Sequence, residues 1–267
     1  MASSTRQSLA SAKQAIQPLL AKADLAFATE LFAVSGAVAG SAQLRNLLSD
    51  PSAEVNAKQG AVKAVFGKSV SAEVLGFVAS LVALRWSKGS DLVAAFEQMG
   101  VFVVANLTAA SGKLEALENE LFVFQQAIDE NMELQFALAS KTASGEARLA
   151  LVDKLLGGNA SAEGAVLIRE AVVASGKRRT SLVLESYSKV LASVAQALVA
   201  KVTVAKDLKP AQQDRLRAAL TKAYGVSVKL NIEHDATVLG GIRIQIADQI
   251  IDGSIVARLN EAKISLA

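Results

Sequence analysis

Few residues in this chain have side chains suited to acting on a substrate. Cysteine is absent and His234 is the only histidine, which excludes disulfides, thiolate metal sites and a cysteine nucleophile, and leaves carboxylates alone to build a metal site. A lone histidine beside a strand end reads as a solvated or structurally bonded group. Ser111-Gly112-Lys113 and Ser175-Gly176-Lys177 carry the Gly-Lys of a phosphate-binding loop, but Leu107 and Ala171 stand where its first glycine is needed. Leu114 and Arg178 replace its Ser or Thr. Both read as helix-ending turns. Asp248 and Asp252 lie four apart near a turn, where hairpin and capping roles account for them. The residues therefore assign no catalytic, cofactor-binding or metal-ligating site.

Charge names no partner. The net charge is +3, with a pI of about 9.1, but lysine and arginine are spread along the chain, whereas a nucleic-acid surface gathers them on one face. Lys177-Arg178-Arg179 is a basic cluster at a turn, in place to interact with helix C-termini. The strands lack stacking aromatics and there is no GxxG loop, which argues against RNA. Residues 74–86 and 92–107 are the most apolar windows; Glu73 and Lys88 bracket the first and Glu97 interrupts the second. A soluble chain without a membrane span is expected. The serine-rich start passes for a transit peptide, yet Leu9, Ile16, Leu19 and Leu20 also make an ordinary amphipathic helix, kinked by Pro18.

With 52% hydrophobic residues but only 4% aromatic, closely packed Ala-rich helices are expected through most of the chain. A stretch over 25–48 bends at Gly36 or Gly40 and stops at Ser49-Asp50-Pro51. Val55, Val62, Val65 and Phe66 mark a short helix that Gly67 closes in a left-handed conformation. Ser71 caps the next, where Val74, Phe77, Val78 and Leu81 form an apolar stripe, and a basic turn over 85–89 leads into a helix from Asp91 past Leu107. A further helix begins near Ser181.

Strand character is confined to the end. Val202 and Val204 share one face of a short strand, and Pro210 opens a helix with Leu216, Leu220 and Ala223 on one side. Val226, Val228, Leu230 and Ile232 alternate with polar residues, as do Ile242, Ile244 and Ile246 after Gly240-Gly241. Asp252-Gly253-Ser254 then turns into a last helix with Ile255, Leu259, Ala262 and Leu266 on one face.

The sequence also repeats itself. At an offset of ninety positions, the distance from Glu30 to Glu120, Glu30-Leu31-Phe32 meets Glu120-Leu121-Phe122 and Ser71-Ala72-Glu73 meets Ser161-Ala162-Glu163 without a gap. Leu44, Leu48 and Gly67 meet Leu134, Leu138 and Gly157. The fold expected is mainly α: two tandem helical bundles, 1–108 and 109–196, then a small α+β domain of order β-α-β-β-α over 197–267. Ser111-Gly112 is read as a kink that keeps the bundles rigidly coupled.

The block over 239–259, LGGIRIQIADQIIDGSIVARL, resembles the C-terminal signature of the delta subunit of F-type ATP synthases, the OSCP family. Gly240 and Gly241 precede the strand, and Ile251, Asp252, Gly253 and Ser254 open the terminal helix that holds Arg258 and Leu259. Gly176 with Arg178 or Arg179 resembles the Gly-Arg turn late in that family's helical domain. The resemblance extends over roughly 118–267, and a duplicated bundle is similar to actinobacterial members, some of which are fused to a membrane-anchored b-like segment that this chain lacks.

The resemblance implies a non-catalytic stator subunit of the F1Fo complex, without cofactor. It implies that the helical domain binds the N-terminal segments of alpha subunits. The C-terminal domain would then hold the b subunit of the peripheral stalk, with Ile255, Leu259, Ala262 and Leu266 as the candidate contact face. It places the chain peripherally on the cytoplasmic face of the bacterial plasma membrane, resisting rotor torque during ATP synthesis. Aligned at ninety positions, Val74, Phe77, Val78 and Leu81 meet Gly164, Leu167, Ile168 and Ala171. Read as partner-binding grooves, these stripes differ in bulk, and the second is expected to hold an alpha segment. A generic helical adaptor or an RNA-binding protein is the alternative.

Overall fold

The computed structural model describes residues 3–140, 143–175, 179–197, 199–204, 208–224, 228–234, 241–246 and 249–252. The chain divides into two compact units, Met1–Ala192 and Ser193–Ala267.

The first unit is helical: α1 Ser3–Leu20, α2 Leu25–Gly40, α3 Ala42–Ser49, α4 Val55–Phe66, α5 Ala72–Val82, α6 Gly89–Ala110, α7 Leu114–Glu130, α8 Met132–Ala139, α9 Gly145–Leu156, α10 Ala162–Ser175 and α11 Thr180–Ala197, within which the two units divide. The breaks follow local chemistry. Asp24 accepts the Phe27 N–H to start α2, and Ser41 accepts the Leu44 N–H to start α3. The bend expected at Gly36 or Gly40 falls at Ser41, where α2 and α3 meet at 105°. Asp50 then accepts from Ser52 through backbone N–H and hydroxyl, at 2.8 and 2.6 Å. Those bonds hold its carboxyl below the usual range. Pro18 sits in the final turn of α1.

Two turns differ from expectation. Gly67 has φ −59°, right-handed, because Ser69 and Val70 continue the coil by donating to the Phe66 carbonyl. A Cβ at Gly67 would collide with the Lys63 carbonyl oxygen, so glycine serves close approach there. The equivalent Gly157 is left-handed at φ 54°. Ser111-Gly112 is a true helix stop instead of a kink. Gly112 has φ 71°, its N–H donates to Ala109 and that of Lys113 to Thr108, the paired bonds of a Schellman turn.

The long helix α6 is the axis of the unit. It packs against α1, α2, α3, α5, α7 and α10, and Leu92, Phe96, Met99, Val103 and Val104 along it are fully buried. Among the described residues it alone is long and apolar enough by itself to cross a bilayer, but 78% of its apolar window is buried in the bundle. Gly100 lets α2 approach, since a Cβ there would enter the Phe32 ring. The expected boundary at 108 falls inside this helix. At the ninety-residue offset α3, α4 and α5 fall on α8, α9 and the first part of α10, and α1 falls on residues 93–110 of α6.

The second unit is a four-stranded sheet of order β2-β1-β3-β4, formed by β1 Val199–Val204, β2 Lys229–His234, β3 Ile242–Ile246 and β4 Gln249–Asp252, with α12 Pro210–Tyr224. β1 and β2 are parallel and joined through α12, while β3 runs antiparallel to both β1 and β4. Val202, Val204, Leu220, Val228 and Ile244 form its core, flanked by Leu216, Leu230, Ile232 and Ile242. Arg243 and Gln245 are exposed, as alternation requires. Ala223 is exposed and does not join Leu216 and Leu220. The mainly α class with a small α+β end holds, and β4 adds a strand to the expected order: Gln249–Asp252 pairs with β3, which puts Asp252 in the sheet instead of a capping turn.

Candidate interaction surfaces

The helical copies are held by the same bonds. Glu30 on α2 accepts the Ser71 N–H and hydroxyl at 2.8 and 2.7 Å. Glu120 on α7 accepts the Ser161 N–H and hydroxyl at 3.1 and 2.8 Å. Each serine hydroxyl in turn accepts the first-turn N–H of the helix it caps, from Val74 and Gly164. A carboxylate from one helix thus fastens the start of another, 41 residues away, twice. Arg45 Nη1 donates to Ala39 O and its counterpart Gln135 Nε2 to Asp129 O, bracing the α2–α3 and α7–α8 corners. Gly164 gives Glu120 its room, as a Cβ there would strike the carboxylate.

The stripes read as grooves are interior. Val74, Phe77, Val78 and Leu81 are at most 3% exposed, and Leu167, Ile168 and Ala171 at most 1%. Gly164 is buried too. A 3.6-residue stripe marks a buried face without saying what covers it; here the same chain covers it. Trp86 closes the end of α5, its Nε1 donating to Leu81 O at 2.8 Å.

A polar cluster joins α6, α10 and α11. The Tyr187 hydroxyl donates to Glu97 Oε1 at 2.9 Å, from positions ninety apart on aligned helices. Beside Glu97, burial and then the neighbouring carboxylate push the Glu170 carboxyl up to about 8. On α9, Arg148 Nε is buried without a partner while its Nη1 reaches the carbonyls of Leu138 and Val172 at 3.5 Å. Its counterpart in the first copy, Lys58, is 4% exposed. Each copy therefore places a basic side chain at this point, Lys58 buried and Arg148 half-buried.

The surfaces diverge. Phe32 is 4% exposed under α6, while its counterpart Phe122 is 61% exposed. Val123, Met132, Phe136 and Leu155 are also exposed, and a cleft of about 320 Å³ lies between α7 and α9, lined by Val123, Ala127, Leu134, Leu155, Leu156 and Ile168. Of these residues the sequence names Phe122 and Leu134 in the repeat and Ile168 in the stripe, but not the exposed surface; the Glu-Leu-Phe triplet is identical in both copies and gives no sign of the difference in cover.

Of the signature residues, Gly241 precedes β3 with φ 95°, which suits glycine, and Ile251 and Asp252 lie in β4. Gly240, Gly253, Ser254, Ile255, Arg258, Leu259, Ala262 and Leu266 lie outside the described residues, as do Gly176, Arg178 and Asp248. Among the described residues no three histidine or acidic side chains are grouped to hold a metal ion.

Part-buried helix caps, helices locked by repeated bonds and apolar side chains left facing solvent are the features of a binding scaffold. Residues 102–266 match the family model of the ATP synthase delta (OSCP) subunit, a match that begins inside α6. The chain is 37% identical over 275 residues to ATP synthase subunit delta of Pseudarthrobacter chlorophenolicus and 38% over 276 to that of an Arthrobacter species, each alignment covering 100% of both chains. With ATP synthase subunit delta of Streptomyces coelicolor it shares 38% over 272 residues, covering 100% of this chain and 98% of the relative. This chain belongs to the ATP synthase delta (OSCP) subunit family, whose members are structural, non-catalytic subunits of the synthase. The first helical copy lies almost wholly before the family model, yet the alignments with these relatives run through it.

Proposed function

We propose that this chain is the stator connector between the alpha/beta head of the synthase and the b subunit of its peripheral stalk, on the cytoplasmic face of the bacterial plasma membrane. The observation that carries this is the full-length match to relatives named ATP synthase subunit delta. The physics of the helical unit agrees. A connector that resists torque has to transmit force without bending, and α6 serves both copies, with α2 packed on α6 and α10. The helical unit binds N-terminal segments of alpha subunits, the second copy holding at least one and the first adding a further contact on the head. The α+β unit holds b through the face of Ile255, Leu259, Ala262 and Leu266.

Affinity purification of the tagged full-length chain from cells tests the reading. Alpha, beta and b are expected together in the eluate, and removal of residues 254–267 should release b while sparing the head. Recovery without alpha and beta overturns the assignment.

A further inference from the structure

We propose that the cavity at the start of α11, walled by α7 and α8, binds a small free carboxylate with an apolar body, the carboxylate on Arg179, Thr180 and Ser181 and the body against Ile128, Phe136 and Leu138. The site lies within the helical unit and stands on this chain's own residues, independently of the stator reading.

Size and lining decide the kind of ligand. The cavity has a volume of about 210 Å³, with Ile128, Phe136 and Leu138 as an apolar wall and the first turn of α11 opposite. A cavity of about 150 Å³ takes benzene, so this one has room for an aromatic or branched monocarboxylate. It is smaller than the roughly 300 Å³ at which clefts for drug-sized molecules begin, which favours a free small acid over a segment of another protein. Among the described residues that line it, Arg179 alone is charged.

Thr180 marks the polar end. It is 6% exposed and lines the cavity, yet its hydroxyl bonds to no described residue. A hydroxyl this deeply buried ordinarily has a partner, and the cavity is the space left for one. The first bonds of α11 run from the Leu182 and Val183 N–H groups to the Arg179 carbonyl, so the N–H groups of Thr180 and Ser181 precede them as further donors. A guanidinium, two hydroxyls and the positive end of an 18-residue helix are all groups that a carboxylate accepts from. Asp129, Glu130 and Glu133 on the neighbouring corner are exposed and do not line the cavity, where solvent screens them. Glu185, further along α11, is paired with Lys189 at 2.6 Å.

The first copy shows what occupies such a place. At the ninety-residue offset Arg179, Ser181, Gln135 and Phe136 correspond to Gly89, Asp91, Arg45 and Asn46. A Cβ at Gly89 would strike the Arg45 side chain and crowd Ser49, so in that copy α3 lies directly against the start of α6. Asp91 puts a carboxylate in the first turn of α6, where it accepts from the Thr5 hydroxyl at 2.7 Å. The first turn of α11 has no acidic residue. The second copy thus has a cavity, an arginine at its edge and no carboxylate of its own where the first copy supplies one.

The experiment uses the full chain, isotope-labelled for amide NMR, with phenylacetate as the probe and phenylacetamide and acetate for comparison. The Thr180 and Ser181 amide signals are expected to shift saturably with phenylacetate. Phenylacetamide, which lacks the charge, should bind about tenfold more weakly or worse, and so should acetate, which lacks the apolar body. Arg179→Gln, at an exposed position, and Thr180→Val, of nearly the same shape, should each weaken phenylacetate about tenfold, with cooperative melting showing that the fold survives. Ser181→Asp installs the first copy's carboxylate and should abolish binding while raising the melting temperature. Absence of a saturable shift in the first turn of α11, equal binding of phenylacetate and phenylacetamide, or binding unaltered in both folded variants overturns the proposal. Tighter binding of acetyl-alanyl-phenylalanine than of phenylacetate also overturns it, by assigning the site to the end of a polypeptide. Failure of the stator reading shows separately, as loss of alpha and beta from the purified complex, and does not alter the NMR result.

Discussion

Residues 25–82 and 115–172 are built alike and finished differently. Their helices start and stop at matching positions, and the Glu–Ser bonds and corner braces occur at the same places. Yet Phe32 is buried under α6 while Phe122 faces solvent, and Phe66 is buried where Leu156 lines a cleft. Polar contacts that fix backbone direction leave little freedom, because an unpaired buried acceptor or N–H costs more than the bond contributes. Apolar side chains on an outer face are free to change wherever the cover changes. The first copy uses its outer face on α6 within the chain; the second leaves the equivalent face open.

The largest expected effect separates the copies physically. A chain that begins at residue 89 keeps α6, which aligns with α1, packs on α7 and α10 and bonds Glu97 to Tyr187 of the second copy. It is expected to melt cooperatively, at a lower temperature than the full chain. A chain that begins at residue 109 lacks that helix and is expected to keep helical circular dichroism without a cooperative transition. Cooperative melting of both would show that α6 belongs to the first copy alone.

Next comes the close approach that covers Phe32. Gly100→Val drives a side chain into that ring and should cost about 3 kcal/mol, the upper range for overpacking, read from urea midpoints. Phe32→Leu in the same background should recover part of the loss, because the two positions share one contact. Strict additivity would break the claim that Gly100 exists for Phe32.

A smaller effect is expected from Glu170, in the cluster that joins the copies. Its folded carboxyl titrates near 8 and its ordinary value is 4.5, so the folded chain holds a proton the unfolded chain has released between those limits. Its contribution is complete below about pH 4.5, declines as pH rises and is gone above about pH 8. Allowing for relaxation around a partly buried group, the decline is on the order of 2 kcal/mol. Glu170→Gln should remove it and match the parent near pH 5. Urea titrations between pH 5 and 9 that decline equally in both proteins would assign the dependence elsewhere.

What the sequence disclosed follows from the same physics. The identical triplets Glu30-Leu31-Phe32 and Ser71-Ala72-Glu73 with their copies were legible because each pair holds the two ends of one bond. The sharing of α6 was not, since Ala12, Ile16 and Leu20 align with Phe102, Asn106 and Ala110 and a buried helix conserves volume in aggregate. The stripes on α5 and α10 were read as grooves because helical periodicity identifies a buried face but not its cover. Ile250-Ile251 in β4 was too short a run to show alternation. The cleft is lined by Leu156 where the first copy buries Phe66, and Phe122 stays exposed where Phe32 is covered, neither of which a residue type announces.

The finest test of equivalence compares Glu30→Ala with Glu120→Ala. Each carboxylate accepts two hydrogen bonds from the serine that starts the next helix, and each removal leaves a part-buried N–H and hydroxyl to find water. The expected cost is about 1.5 kcal/mol in either copy, set by a charge-assisted bond and a weakened cap. The Ser71 bonds are slightly shorter, and Val74 packs beside them where Gly164 leaves space in the second copy. Water reaches the site more easily beside a glycine, so the Glu120 variant should lose a few tenths of a kcal/mol less. Serine-to-alanine changes at Ser71 and Ser161, combined with each glutamate variant, complete two double-mutant cycles. Coupling energies of the same sign and size would show one bond used twice. Coupling in one copy with none in the other would mean that only the first still depends on it, and that the second has moved its stability into the packing around α6.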